Sequence, residues 1–186
     1  MSVASRAAAR LAATIAMLVL AGCATVPRGD ASSAGETLSG RLSVRVEADG
    51  TAPARSVSAA FELHGDPNAG RLDLSTPLGS MLAQARWSPI RVVLATPKGE
   101  SDFRDLDSLT REMLGESLPV AALFDWLHGR PWPGAPSTPS VPAANSGGGF
   151  EQLGWTVDLG RFADAVVSAH RESPPLVTVR IKLDRP

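Results

Sequence analysis

The sequence predicts a mainly β domain of the α+β class, in which an antiparallel sheet is combined with two helices. Short segments in which apolar and polar residues alternate follow one another at hairpin spacing over residues 38–96, and again over residues 150–183. Alternation with a period of two is typical of half-buried strands. Between these blocks, apolar residues recur at helical spacing over residues 105–127, which predicts the two helices.

The first 22 residues have the pattern of a bacterial secretion signal that ends at a cysteine. Basic residues precede the apolar run 11–20, and small residues then lead to Cys23, the only cysteine in the chain. The run is too short to span a bilayer, which requires about 20 residues. The segment Leu20-Ala21-Gly22-Cys23 resembles the lipobox of bacterial lipoproteins, in which the cysteine is acylated and becomes the new amino terminus.

The lipobox resemblance implies that Cys23 carries the lipid anchor. Ala24 follows the cysteine where an Asp would signal retention at the inner membrane. The resemblance therefore implies a location on the periplasmic face of the outer membrane. The alternative is an ordinary signal peptide that contains an unrelated cysteine.

Composition limits the class of protein further. Removal of residues 1–22 from the 186 leaves 164 residues, enough for one domain with a sizeable core. That segment holds two of the 18 basic residues and none of the 19 acidic ones, so the remainder has a net charge of −3. A nucleic-acid-binding role would call for a basic stripe, and none is found. Residues 23–36 are small and polar and predict a flexible tether before a single domain over residues 37–186.

Turn residues divide the alternating blocks into individual strands. The predicted strands span 38–47, 56–63, 71–75, 81–87, 91–96, 150–157, 163–170 and 177–183. Because the strands follow one another at hairpin spacing, they predict an antiparallel meander with one apolar face. Two helices could cover that face as a lid, and such a sheet can also curl into a partial barrel around a ligand.

The two helices are predicted from their apolar stripes and from residues that favour helix ends. Gly115 lies where a C-cap of the first helix belongs, and Ser117 can cap the start of the second. Acidic residues near the start of the first helix favour its dipole, which explains them better than a calcium site. These residues are Asp102, Asp105 and Asp107.

The segment 131–149 contains five prolines and four glycines, and no regular structure fits it. Loops of this length inside a compact domain are usually functional or disordered. We predict a disordered loop here.

No constellation of catalytic or metal-binding residues emerges from the sequence. The three histidines, His64, His128 and His170, are scattered and make no close ligand pair. Asp125 and His128 occupy neighbouring helix positions and are interpreted as a local helix pair. We therefore predict no enzymatic activity, no metal site and no cofactor.

One connection between predicted strands has an unusual apolar tip. Thr76-Pro77-Leu78-Gly79-Ser80 places a leucine where turns usually carry polar residues. Leu78 could fold back onto the sheet, which is the ordinary outcome. Alternatively, it could be offered to a membrane or a partner, since burial of one leucine is worth roughly 1.5–3 kcal/mol.

Taken in order, these motifs resemble the LolB family of outer-membrane lipoproteins. The resemblance covers nearly all of the chain after the tether. Besides the lipobox and the Pro-Leu-Gly connection, it rests on three segments: Gly40-Arg41-Leu42-Ser43-Val44, the helical region 114–131, and Phe150-Glu151-Gln152-Leu153-Gly154-Trp155-Thr156-Val157.

The resemblance implies a fold, a cargo and partners. The fold would be an incomplete antiparallel β-barrel, closed by a helical lid, that encloses an apolar cavity. The cargo would be the acyl chains of other lipoproteins, received from the periplasmic carrier LolA and inserted among outer-membrane phospholipids by a monomer. In the family, the leucine of the Pro-Leu-Gly connection protrudes and inserts cargo into the membrane, which implies that Pro77, Leu78 and Gly79 form the insertion loop.

Alternation and helical spacing provide the candidate cavity and lid residues. The predicted cavity residues are Val44, Val46, Phe61, Leu63, Leu72, Leu74, Trp87, Trp155, Val157, Val179 and Ile181. The predicted lid residues are Leu109, Met113, Val120, Leu123, Phe124, Trp126 and Leu127. A one-residue shift of register would invert the faces of any strand.

Two other functions remain open at this point. The chain could be a structural or assembly lipoprotein that binds another protein through its sheet edge. It could also be a lipid-anchored hydrolase, if a cleft joined Asp125, His128 and a serine.

Overall fold

The computed structural model describes residues 37–50, 52–140 and 148–184. The predicted signal segment, Cys23 and the tether lie outside the described residues. The strands are β1 Thr37–Val46, β2 Arg55–Gly65, β3 Gly70–Ser75, β4 Met81–Ser88, β5 Arg91–Thr96, β6 Gly99–Phe103, β7 Ser137–Pro139, β8 Gly149–Gln152, β9 Trp155–Asp158, β10 Val166–Arg171 and β11 Val177–Leu183. The helices are α1 Leu106–Leu114 and α2 Val120–Leu127, and a 3-10 turn spans Phe162–Asp164.

These eleven strands form one open antiparallel sheet in the order β6-β5-β4-β3-β2-β1-β11-β10-β9-β8-β7. Two meanders, β1 to β6 and β7 to β11, are joined because the first strand pairs with the last. At this junction Val44 lies opposite Val57 of β2 and Val179 of β11. The prediction of a mainly β, α+β domain is confirmed. The sheet does not close into a barrel, since β6 and β7 are its two edges.

The alternation in the sequence divides the sheet into an apolar and a polar face. In β1, Val44 and Val46 are buried whereas Arg41 and Arg45 are exposed. β11 repeats the pattern, with every second residue from Val177 to Ile181 buried. The register therefore stacks apolar side chains of neighbouring strands on one side, as expected for a sheet with a single solvated face.

Aromatic contacts of α2 require that the sheet curves around this helix. Phe124 contacts Trp87 of β4 with ring centroids 6.2 Å apart, and Trp126 contacts Trp155 of β9 at 6.1 Å. Six strand spacings separate β4 from β9, which would be about 29 Å in a flat sheet. Two residues of one helix rise by only about 3 Å. The apolar face is therefore concave, with α2 lying against it.

Most predicted strands are confirmed, but the sheet contains eleven strands rather than eight. The strand β6 was not predicted from the sequence pattern, and Asp102 belongs to this strand instead of to a helix start. Asp102 accepts a hydrogen bond from Arg91 Nε at 2.7 Å, and this bond lowers the pKa of Asp102. The weak strand predicted at 163–170 begins only at Val166, because the 3-10 turn occupies the preceding residues.

The predicted single strand over residues 150–157 was wrong, because it is a hairpin. Leu153 and Gly154 form a two-residue turn between β8 and β9, with φ of 54° and 76°. Two consecutive positive φ values are typical of the type I′ turn that matches the twist of paired strands. The buried positions change phase across the turn, from Phe150 and Gln152 to Trp155 and Val157, and this break in the alternation marks the hairpin.

The proline-rich segment is partly ordered, which corrects the prediction that no regular structure lies in residues 131–149. Ser137–Pro139 pairs with β8 as an edge strand, and Gly149 begins β8. Residues 141–147 lie outside the described part of the chain. Proline is tolerated in β7 because an edge strand leaves one side of its backbone unpaired.

The predicted C-cap of α1 is confirmed, whereas the predicted N-cap of α2 is wrong. Asp105 caps α1 by accepting the Ser108 amide at 2.7 Å, and the hydrogen bonds from Ser108 keep the pKa of Asp105 below its usual value. Gly115 ends α1 in the left-handed conformation, as predicted. Ser117 does not cap α2. Pro119 occupies the N-cap position and makes no side-chain hydrogen bond, because its ring carries no polar atom.

Candidate functional site

The candidate site is the concave apolar face of the sheet together with the two helices that lie on it. All eleven predicted cavity residues lie on this face. Nine of them are buried, and Leu72 and Leu74 of β3 are partly buried against the same cluster. One-sided burial of this kind follows from alternation in antiparallel strands. The sequence pattern therefore identified residues that share the apolar face, and their role in binding acyl chains stays a prediction.

Helix α2 fills the part of the concave face formed by β8 to β11. Trp126 has no exposed surface and packs between Phe150 and Trp155, with ring centroids 6.3 and 6.1 Å away. Val157 and Val177 below it are also fully buried. This half is packed as a conventional protein core.

A buried glutamine that was not predicted as a site residue connects α2 and the proline-rich segment to the sheet. The Gln152 side-chain oxygen accepts hydrogen bonds from Trp126 Nε1 at 2.8 Å and from the Trp132 amide at 2.9 Å. Its nitrogen donates to the carbonyl oxygens of Trp132 and Ala135 at 2.7 and 2.8 Å. The side chain is 2% exposed, and its hydrogen-bonding capacity is satisfied. Its alternation with Phe150 was the one available signal, since it places a polar residue on the apolar face.

The other half of the concave face is covered less completely. The partly exposed apolar residues along β1 to β3 are Leu38, Leu42, Val57, Leu72 and Leu74. Small residues occur on the same face, namely Gly40, Ala59, Ala83 and Ala85. Phe61 and Leu63 of β2 are nevertheless buried, so the coverage of this half is partial. We call this region the open half of the concave face.

The predicted lid residues are distributed over both helices, and all but one face the sheet. Leu109, Trp126 and Leu127 are buried. Val120, Leu123 and Phe124 are partly buried and pack against the core cluster. The prediction was wrong for Met113, which is 42% exposed because it lies on the outer side of α1.

The connection between β3 and β4 displays Leu78 in a tightly hydrogen-bonded turn. The Gly79 amide donates to the Thr76 carbonyl oxygen at 2.9 Å, so Pro77 and Leu78 occupy the two central turn positions. The Ser80 amide also donates to the Thr76 hydroxyl oxygen at 3.1 Å. Leu78 is 95% exposed and does not fold back onto the sheet. Its turn adjoins the open half, since it directly follows β3.

A second exposed aliphatic tip, Ile90, was not predicted. It lies in the two-residue connection between β4 and β5 and is 94% exposed. Because β4 runs from the Leu78 connection to the Ile90 connection, the two tips lie at opposite ends of the sheet. Eight residues of strand separate them by about 27 Å.

The polar groups of the described residues do not assemble a catalytic centre. Asp125 is engaged by Arg130, whose Nε lies 2.6 Å from its carboxylate, while His128 Nδ1 donates to the Phe124 carbonyl oxygen at 2.7 Å. Within residues 37–50, 52–140 and 148–184, no three His, Cys, Asp or Glu side chains are grouped to hold a metal ion. None of the helices in these ranges is long and apolar enough to cross a membrane.

Two surface pockets of about 510 and 530 Å³ lie away from the open half. The first follows the β8–β9 turn and is lined by polar residues such as Glu151 and Glu172. The second lies beside the end of β11 and is lined by Arg161, Lys182 and Asp184. The lining of the second pocket is mainly polar, whereas the first combines its glutamates with the apolar residues Pro136, Leu153 and Trp155.

The two edges of the sheet oppose pairing with another chain. β6 carries the exposed carboxylates Glu100 and Asp102, and β7 ends in Pro139. Charged residues, short length and proline are the usual features that protect edge strands. The geometry therefore gives no support to binding through a sheet edge.

Comparison with known proteins gives one consistent result. The family model described as outer membrane lipoprotein LolB matches residues 37–185. The outer-membrane lipoprotein LolB of Bordetella pertussis is 33% identical over 179 residues, which cover 91% of this chain and 89% of that protein. The LolB protein of Cupriavidus metallidurans is 36% identical and covers 90% of this chain and 82% of its own length. The LolB protein of Ralstonia nicotianae is 31% identical and covers 98% of this chain and 89% of its own length.

Proposed function

Since the chain belongs to the LolB family of outer-membrane lipoproteins, we propose that it accepts lipoproteins from the periplasmic carrier LolA and inserts them into the outer membrane. It binds the acyl chains of its cargo in the open half of the concave face. The observation that carries this proposal is an apolar concave face that the helices cover incompletely and that leads directly to the exposed Leu78. The chain is a receptor and not an enzyme in this proposal.

The acyl chains lie between β1 to β3 and the helices, and the sheet and helices act as an incomplete barrel with a lid. Leu72 and Leu74 contribute partly exposed apolar surface, and Ala83 and Ala85 provide room next to them. Burial of each methylene group is worth about 0.8 kcal/mol and has no directional requirement. A face of this kind therefore holds acyl chains of different cargo proteins without specific polar contacts.

In this proposal, the free energy of the cargo falls at each step from carrier to receptor to bilayer, so transfer requires no chemical energy source. Each step of 1.4 kcal/mol in binding free energy favours the acceptor tenfold. The receptor must therefore bind acyl chains more tightly than the carrier does and less tightly than the membrane does. Partial coverage by the helices suits this intermediate affinity, since cargo can enter and leave without disruption of the packed half.

The segments outside the described residues complete the proposal. Residues 1–22 are removed as a signal peptide, Cys23 carries the acyl anchor, and residues 23–36 tether the domain to the outer membrane. More than one acyl chain is needed for stable anchoring. The anchor keeps Leu78, which lies in the insertion loop with Pro77 and Gly79, close to the phospholipids that receive the cargo.

The proposal is tested by following a radiolabelled lipoprotein from its carrier complex to liposomes. An unlipidated form of residues 24–186 is compared with its Leu78→Glu variant. We expect both proteins to take cargo from the carrier, and we expect the variant to deliver at least tenfold less to the liposomes. A charged group at the insertion tip opposes entry into the acyl region, while the open half is unchanged.

Ile90→Glu is the matched control, because it places the same charge on an equally exposed aliphatic tip at the other end of the sheet. This variant is expected to deliver cargo like the parent. If the parent protein takes no cargo from the carrier, the receptor proposal is wrong. If both variants lose delivery equally, the role assigned to Leu78 is wrong.

A further inference from the structure

We infer that Leu153 and Leu176 join Leu78 in one surface that enters the acyl region of a phospholipid bilayer. We call these three side chains the leucine rim. The inference rests on the proposed function, in which Leu78 contacts the membrane, and it adds two residues from the other half of the molecule.

The topology places all three leucines at the same end of the sheet. They lie in the β3–β4, β8–β9 and β10–β11 connections, and antiparallel pairing brings these connections to the end at which β1 finishes. Three strand spacings, or about 14 Å along the curved edge, separate β3, which leads to Leu78, from β11, which follows Leu176. Two spacings, or about 10 Å, separate β10, which leads to Leu176, from β8, which leads to Leu153. The exposures of Leu78, Leu153 and Leu176 are 95%, 47% and 49%.

Leu153 occupies a backbone conformation that opposes a leucine. Its φ of 54° is in the left-handed region, at the first position of a two-residue turn where Asn, Asp or Gly is favoured. The side chain is nearly half exposed, so packing within the described residues compensates only part of this unfavourable choice. A strained position that displays an apolar side chain points to a contact outside the domain.

Leu176 is held in place by its backbone while its side chain remains half exposed. Its carbonyl oxygen accepts a hydrogen bond from the Glu47 amide at 2.9 Å, and the next residue, Val177, is fully buried. The side chain is therefore presented from a fixed position at the start of β11. Leu78 is displayed in a similar manner by the hydrogen bonds of its own turn.

A bilayer fits this surface better than a protein partner does. The three leucines lie in three separate connections along the edge, so they suit a fluid acyl region that closes around each side chain. The same end carries charges of both signs, at Asp49, Lys98 and Glu172, and shows no cationic excess that would select anionic headgroups. Contact is therefore expected in zwitterionic vesicles and at high salt.

The test measures the depth of each tip in a membrane that holds the mature full-length chain. The chain has one native cysteine, Cys23, which is acylated in the proposed mature protein, so an introduced cysteine provides the free thiol for a fluorophore. Leu78→Cys, Leu153→Cys, Leu176→Cys and the control Ile90→Cys are labelled one at a time in phosphatidylcholine vesicles. Lipids with a nitroxide on the acyl chain should quench the first three labels and leave the fourth unquenched.

A second pair of variants separates membrane contact from folding. Asn suits the left-handed conformation, so Leu153→Asn should unfold at the same or a higher denaturant concentration than the parent. Removal of one half-exposed leucine should lower delivery of cargo to liposomes about fivefold, while uptake from the carrier is unchanged. Leu176→Asn should behave likewise, and Ile90→Asn should deliver like the parent.

The outcomes distinguish this inference from the proposed function. Quenching at position 78 but not at 153 and 176 limits the contact to the Leu78 turn and overturns the inference alone. Quenching that requires anionic lipid, or that occurs equally at position 90, also overturns it. If Leu78→Glu delivers like the parent and the label at position 78 is unquenched, the insertion role proposed for Leu78 is wrong, and the inference that rests on it is wrong as well.

Discussion

Gln152 shows how one residue decides whether a segment of unusual composition is ordered. Its amide connects α2, through Trp126, to the backbone of the proline-rich segment at Trp132 and Ala135. Trp126 is fully buried, whereas Trp132 and Ala135 are partly exposed, so the Trp126 indole depends most on the glutamine for its partner. The proline-rich segment therefore packs against the sheet through hydrogen bonds instead of through secondary structure of its own.

Replacement of this residue should destabilise the whole domain. Gln152→Leu has a similar volume but leaves up to four polar groups without partners, and each unsatisfied buried group costs about 1–3 kcal/mol. We expect a loss of at least about 3 kcal/mol in the free energy of unfolding, measured as a lower urea midpoint at unchanged slope.

Glu151→Leu is the matched control, since it changes the neighbouring residue on the exposed face of the same strand. It should shift the midpoint little. Equal midpoints for the two variants would mean that the hydrogen bonds of Gln152 are replaced by water and that this side chain does not order the segment.

At the scale of elements, periodicity predicted those strands that have one buried face. β1, β2 and β11 were placed within about two residues, because their alternation reflects burial on one side only. β6 escaped prediction, since four of its five residues are exposed and an edge strand needs no alternation. The β8–β9 turn escaped because Leu153 is a residue that such turns disfavour.

The candidate site could be predicted in composition but not in packing. The apolar face follows from strand periodicity, and all eleven predicted cavity residues lie on it, whereas their role as a cavity stays a prediction. Which half of that face the helices fill depends on long-range contacts such as Trp126 with Trp155. No local pattern encodes these contacts, and Met113 was misplaced for the same reason.

The two faces of β2 provide a direct test of where cargo binds. Ala59 and Ala60 are adjacent, but Ala59 lies on the concave face and is 6% exposed, whereas Ala60 lies on the opposite face. Ala59→Phe should fill space in the open half. If the ring displaces about two methylene groups of cargo, affinity falls about fifteenfold, which the equilibrium distribution of labelled lipoprotein between carrier and receptor would report.

Ala60→Phe adds the same ring to the other face and should leave this distribution unchanged. Urea denaturation of both variants checks that each remains folded, since excess volume in a core costs about 1–3 kcal/mol. Unchanged uptake by a folded Ala59→Phe variant would exclude the open half as the acyl site.

At the scale of the whole molecule, the packing of the concave face differs between its two halves. β8 to β11 and Trp126 form a closed core, while β1 to β3 carry leucines that remain partly exposed. The helices belong to both halves, since Phe124 contacts β4 and Trp126 contacts β8 and β9. In the proposed function, cargo that enters the open half competes with helix contacts there and leaves the closed half intact.

This asymmetry predicts which amides lose protection when cargo binds. Hydrogen exchange should quicken at least tenfold over α1 and over the first turn of α2, because acyl chains replace contacts of Leu109, Val120 and Leu123 with the sheet. Exchange in β10 and β11 should be unchanged, since their buried residues pack against the closed half. The measurement compares the cargo-loaded with the cargo-free receptor by mass spectrometry, and the receptor mixed with empty carrier serves as the control. Faster exchange throughout the sheet would indicate that cargo opens the whole core, whereas unchanged exchange in both helices would indicate that cargo binds elsewhere on the molecule.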